Sequence, residues 1–135
     1  MARALKTIGF ILSVVCLGVI VYLSFAGNVT IPDFIAGKDK GGHFLAYMAL
    51  SFLFFLSFCS FSRNACFRRN VLPMAGAFLL ASVCGYAIEL CQPRFGRNFE
   101  VQDIIADAAG AFAGVVLCSL CVLFLVSIER RRHRR

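Results

Sequence analysis

Between Asp107 and Glu129 the chain reads AAGAFAGVVLCSLCVLFLVSI, residues 108–128, without one charged side chain. A helix rises about 1.5 Å per residue, so a run of this length crosses the roughly 30 Å hydrocarbon core of a bilayer. Three other stretches read the same way. TIGFILSVVCLGVIVYLSFA fills residues 7–26, and no charge occurs between Lys6 and Asp33. After Lys40 the only titratable groups ahead of the next cysteine are His43 and Tyr47, and the segment runs on as LSFLFFLSFCSF (50–61). VLPMAGAFLLASVCGYAI fills residues 71–88. Single segments can satisfy their backbone in lipid only as helices. The expectation is therefore an all-α chain, a four-helix transmembrane bundle, with helices over 5–27, 41–61, 71–92 and 103–128. They form one domain over 1–135, with a basic tail at 129–135.

Composition agrees. The chain has 135 residues, 60% hydrophobic and 16% charged, with a mean hydropathy of +0.82. A soluble domain carries roughly 45–50% apolar and about 25% charged residues. This balance excludes a soluble enzyme, a nucleic-acid module and a disordered chain, and the length leaves no room for a soluble domain beside four spans. The first span has a rival reading as a signal peptide, with Arg3 and Lys6 ahead of it and Ser24-Phe25-Ala26 as a small-x-small cleavage site. Its apolar run exceeds the roughly 7–15 residues of a signal h-region, which favours a retained helix.

Orientation follows from the basic residues in the short flanks. Arg3, Lys6, Arg63, Arg68, Arg69 and five arginines after Glu129 put ten bases on one side, against Lys38, Lys40, Arg94 and Arg97 on the other. The ten mark the cytoplasm, so both termini are expected there, in a multi-pass protein of the bacterial cytoplasmic (inner) membrane. Asp33, Asp39, Glu89, Glu100, Asp103 and Asp107 fall toward the outer side, leaving only Glu129 inside. The formal charge of +7 is thus a topology signal. The tail ERRRHRR directly follows a span, which favours anionic lipid headgroups as its partner and not nucleic acid.

The cysteines give no disulfide framework. Cys16, Cys84, Cys118 and Cys121 lie within spans, Cys59 and Cys66 toward the cytoplasm, and only Cys91 near the outer face. Buried cysteine acts as a small hydrophobe. Small residues recur at four-residue spacing: Ala106, Gly110 and Gly114 on the fourth helix, and Ala77, Ala81 and Gly85 on the third. Such stripes let helices approach closely in lipid. The short connection between these two helices predicts that they form the tight pair.

Three short segments place polar groups at the outer end. Asp39, Lys40, His43 and Tyr47 open the second helix, with His43 and Tyr47 on one face at i,i+4. Glu89 and Gln92 end the third at Pro93, which stops it. Arg97 precedes the fourth, whose first turns carry Asp103 and Asp107. Ionised groups about one turn inside a span are costly and face a bundle interior or a watered cavity. Each residue has a plainer role as well. Asp103 fits a helix N-terminus, Lys38 and Lys40 fit flanking cations, His43 a satisfied interfacial imidazole, Arg97 a clamp on Glu89 or Asp103, and Tyr22, Tyr47 and Tyr86 interfacial anchors.

The stretches Asp39-Lys40-x-x-His43 with Phe44 and Tyr47, Glu89-x-x-Gln92, Gly96-Arg97 and Asp103-Ile104-Ile105-Ala106-Asp107-Ala108-Ala109-Gly110, on to Gly114, resemble the VanZ-like family of small bacterial membrane proteins. The resemblance covers the second helix to the middle of the fourth. One departure is Asp107, where the family often has Asn. The resemblance implies a membrane protein of the cell envelope, the family being named for a member linked to resistance against the glycopeptide teicoplanin. A phosphotransbutyrylase label attached to the family finds no phosphate-cradling glycine loop here.

Three functions follow from different classes. In the first, an envelope binding protein uses an outward-facing pocket of Asp39, Lys40, His43, Tyr47, Glu89, Gln92, Arg97, Asp103 and Asp107 to bind a lipid-linked or glycopeptide-type ligand. Arg97 and Lys40 would meet its anionic group. In the second, a membrane enzyme acts on a lipid or cell-wall intermediate, with His43, Glu89, Asp103 and Asp107 as candidate acid/base catalysts. A divalent cation on the imidazole and carboxylates is a variant of this chemistry. The spacing matches no metal-ligand motif, so no resident metal or cofactor is expected. In the third, the polar cluster is structural glue. A channel is disfavoured because the polar groups occupy only one end.

Overall fold

Four helices follow one another along the chain in the structure, a computed structural model that describes residues 2–26, 39–61 and 67–132. They are α1 (Ala2–Phe25), α2 (Asp39–Phe58), α3 (Phe67–Cys91) and α4 (Val101–Arg132), with a single 3-10 turn, Gln92–Phe95, between the last two. Each contains a stretch long and apolar enough to cross a membrane: Arg3–Phe25, Lys40–Phe58, Arg69–Phe95 and Val101–Ile128. The architecture is the all-α, four-span arrangement that the apolar runs predict. The helix ends differ from hydropathy by a few residues. The fourth helix carries on through the first arginines of the tail, because a helix already nucleated over many turns continues at little cost.

Successive helices run antiparallel, which leaves α2 and α4 parallel to each other. Ser57 packs beside Gly9, and Ser60 beside Asn70, at the end where α1 and α3 begin. Phe25 meets Phe95, and His43 meets Asp107, at the other. The start of α1 and the end of α4 therefore share one end of the bundle.

Many large side chains point outward, and the inward face mixes small and polar residues with a few large ones, Tyr47, Leu50 and Phe55 among them. Leu72, Phe112 and Phe124 are exposed, whereas Ala77, Ala81, Ala111, Cys118 and Ser51 are fully buried. Lipid solvates apolar side chains as well as a core does, so what selects the inward face is close backbone approach. The closest approach corrects the expected pairing of third and fourth helices. The most extensive interface joins α2 to α4. A Cβ on Gly110 would run into the Phe44 carbonyl, and one on Gly114 into the Met48 carbonyl and Ser51 Oγ, all on α2. Periodicity shows which face of a helix is small and says nothing of which neighbour that face meets. Ser51 Oγ donates across this interface to the Ala111 carbonyl at 2.8 Å.

At the end remote from His43, Asn70 fastens α3 to the end of α2. Its Oδ1 accepts the Ser60 N–H at 2.8 Å and its Nδ2 donates to the Ser60 carbonyl at 3.3 Å. Those backbone groups lie just past α2, where a helix end leaves donors and acceptors needing partners. Among the described residues the six cysteines are all unpaired, with Cys59 and Cys118 fully buried; Cys66 lies outside them.

Candidate functional site

Pro93 lacks an N–H, so α3 tightens into the 3-10 turn. Gly96 then adopts φ +79°, a left-handed conformation open to glycine, and the Arg97 N–H closes onto the Gln92 carbonyl at 3.3 Å. This turn hands the chain to α4 within a few residues. It sets Glu89 and Gln92 from α3 beside Asp103 and Asp107 from α4, with His43 arriving from α2.

The imidazole is the hub. His43 Nδ1 lies 2.9 Å from Asp107 Oδ1, and His43 Nε2 lies 3.6 Å from Asp103 Oδ2. With Asp107 ionised, its carboxylate only accepts and Nδ1 is the donor in this bond. One nitrogen of His43, one oxygen of Glu89 and one of Asp103 all lie within 4.8 Å of one another. Glu89 Oε2 accepts the Glu100 N–H at 3.4 Å, which ties the connecting loop back onto α3. The His43 ring stacks toward Tyr47, with centroids 6.5 Å apart.

Burial at this site is nearly complete. Glu89 is 0% exposed, Gln92 and Asp107 1%, and Asp103 3%; the His43 side chain is 13% exposed. Glu89 Oε1, Gln92 Nε2 and Asp107 Oδ2 are buried with no hydrogen-bond partner among the described residues. Buried polar atoms left this way cost roughly 1–3 kcal/mol each, more when charged.

The structure thus brings together His43, Glu89, Asp103 and Asp107, with Gln92 at the end of α3 and Tyr47 buried one turn along α2. Arg97 is half-buried on the connecting loop. Lys40 is exposed, apart from the buried group. Asp39 opens α2, and its side chain lies outside the described residues, as does Lys38. Of the tyrosines, Tyr22 and Tyr86 are exposed as interfacial anchors would be, whereas Tyr47 is in the core. Sequence reasoning missed the part played by Gly85. A Cβ there would stand 2.5 Å from Asp107 Oδ2, so the glycine makes the room that this carboxylate occupies. The signal was present as a small-residue stripe, with nothing to connect it to a side chain on another helix.

The VanZ/LLP1 family model matches residues 4–124. The chain belongs to the VanZ/LLP1 family. No curated protein and no solved structure matches it. Family membership and the four apolar helices make this a multi-pass protein of the bacterial cytoplasmic membrane. The match runs through α1 as well as the three helices that carry the polar residues, so the first helix belongs to what defines a VanZ/LLP1 chain. Chemically, the arrangement offers an imidazole oriented by carboxylates, a set of atoms spaced to hold a cation, and buried hydrogen-bonding groups in reserve.

Proposed function

We propose that this VanZ/LLP1 protein is an envelope binding protein that takes the polar head of a lipid-linked precursor or glycopeptide-type ligand into the site around His43. The observation that carries this reading is the set of buried, unsatisfied groups on Glu89, Gln92 and Asp107. A ligand supplying both donors and acceptors would satisfy them. Arg97, half-buried at the rim, is suited to a phosphate or carboxylate through bidentate hydrogen bonds. The excess of bases on the flanks at the other end supports an orientation with this site toward the cell exterior, where such ligands occur. Both termini are then cytoplasmic, and the arginine tail rests on anionic headgroups. A contribution to teicoplanin-type resistance follows if the ligand is the antibiotic or its target.

The test is binding of teicoplanin and of lipid-linked precursors to the purified protein in nanodiscs. Wild-type protein is expected to bind one of these, and Arg97→Ala to weaken binding about tenfold or more, the worth of a charged hydrogen bond. Absence of binding to either class refutes the reading, and unchanged affinity in Arg97→Ala removes Arg97 from it.

The His43–Asp107 bond favours a second reading. An imidazole fixed by one carboxylate, with two others beside it, is equipped for acid/base catalysis on a lipid or cell-wall intermediate. It requires that His43→Ala and Glu89→Gln abolish turnover of such a substrate while the bundle stays folded.

A further inference from the structure

We propose that His43, Glu89 and Asp103 form a binding site for one divalent transition-metal ion, with Asp107 as the outer carboxylate that holds the imidazole. Three helices each contribute one ligand. The residues are far apart in sequence, which is why no ligand spacing is legible in the chain, yet their ligand atoms gather within 4.8 Å of one another.

The donor set is one imidazole nitrogen and two carboxylate oxygens. Three protein ligands of this kind with a fourth position open match zinc sites, and Mn²⁺ accepts the same mixture. In a tetrahedral zinc site with bonds of about 2.0–2.1 Å, neighbouring ligand atoms stand about 3.3 Å apart. His43 Nε2 and Asp103 Oδ2 are 3.6 Å apart, so this edge is within a few tenths of an ångström of that separation.

Two independent features support the assignment. A metal-bound histidine almost always donates its other ring N–H to a carboxylate or carbonyl, which fixes the tautomer and aims the free nitrogen at the metal. His43 Nδ1 makes that bond to Asp107 Oδ1 at 2.9 Å, leaving Nε2 toward Asp103. The second is Glu89, which is 0% exposed and keeps Oε1 without a hydrogen-bond partner among the described residues while Glu100 N–H holds its other oxygen. A protonated His43 bridging Asp103 and Asp107 accounts for the two short distances, but it leaves Glu89 Oε1 unsatisfied. A dication held by Glu89 through Oε1 would account for both.

The site does not depend on the envelope ligand, and its test uses the metal alone. Full-length protein is purified without affinity tag or chelator for elemental analysis, then stripped with chelator and titrated with Zn²⁺ and with Mn²⁺ by calorimetry. Near-stoichiometric uptake of one of these ions is expected, with a rise in the unfolding midpoint on binding. Glu89→Gln keeps the side chain's shape and removes its charge, and is expected to lose stoichiometric binding. Asp107→Asn is expected to still bind at saturation with about 10–100-fold weaker affinity. The proposal is overturned if stripped, folded wild-type protein takes up neither ion, or if Glu89→Gln binds as tightly as wild type. Either result leaves an imidazolium ion pair as the explanation of the His43 geometry, and leaves the nanodisc binding test untouched.

Discussion

Replacing Gly110 by alanine adds a single methyl group where α4 lies closest to α2. The new Cβ would stand 2.9 Å from the Phe44 carbonyl carbon, 3.0 Å from its Cα and against its oxygen. Non-bonded carbon atoms rest about 3.5–4.0 Å apart. All three obstacles are backbone, so no side chain can swing away and the helices themselves must separate. Overpacking of this sort costs roughly 1–3 kcal/mol. Separation also stretches the 2.8 Å bond from Ser51 to the Ala111 carbonyl, worth about 0.6 kcal/mol on average for an interhelical bond in a membrane. A loss of about 2–4 kcal/mol is expected in total. Gly76→Ala is the control, since no described residue lies within 4 Å of a Cβ there. Helix propensity makes that change neutral or favourable, by up to about 1 kcal/mol. Unfolding in mixed micelles of increasing dodecyl sulfate content, followed by far-ultraviolet circular dichroism, compares the two variants. If Gly110→Ala unfolds at the same micelle composition as wild type, or both variants shift equally, the close crossing of α2 and α4 is refuted.

The same unfolding assay is expected to show a smaller loss, about 0.5–1 kcal/mol, for Ser51→Ala, because the Ala111 carbonyl keeps its own helical partner; a loss as large as that of Gly110→Ala would contradict this ranking. Asn70→Leu removes both bonds to Ser60 and is expected to cost about 1–3 kcal/mol, with faster amide exchange at Ser60. Unaltered exchange there would show that the end of α2 is held by something else. Gly85→Ala drives the Asp107 carboxylate off its place, so the His43 Nδ1 proton resonance is expected to shift or vanish. Gly18→Ala, where a Cβ meets no described residue within 4 Å, leaves that resonance where it is.

The four spans are legible because each is an uninterrupted apolar run, and in lipid such a run has no alternative to a helix. The site is legible for the converse reason. Glu89 and Asp107 lie about a turn inside their helices, where a carboxylate is too costly to be incidental. Local spacing gives each helix its own polar residues, and Pro93 with Gly96 marks the turn that brings two of those sets together. What periodicity lacks is the third dimension. It cannot tell that Gly110 and Gly114 face α2, that Gly85 makes room for Asp107, or that Lys40 stays outside while Tyr47 is buried. Those outcomes depend on how far each helix rotates about its axis when four of them pack at once.

The ring of Phe25, the last residue of α1, lies 4.5 Å from that of Phe95, the last residue of the 3-10 turn. Most side chains of α1 are exposed on the outside of the bundle. Two phenyl rings thus make the turn that bears Gln92 a neighbour of the helix most open to lipid, so a tilt of α1 in a thinner or thicker bilayer would be felt there first.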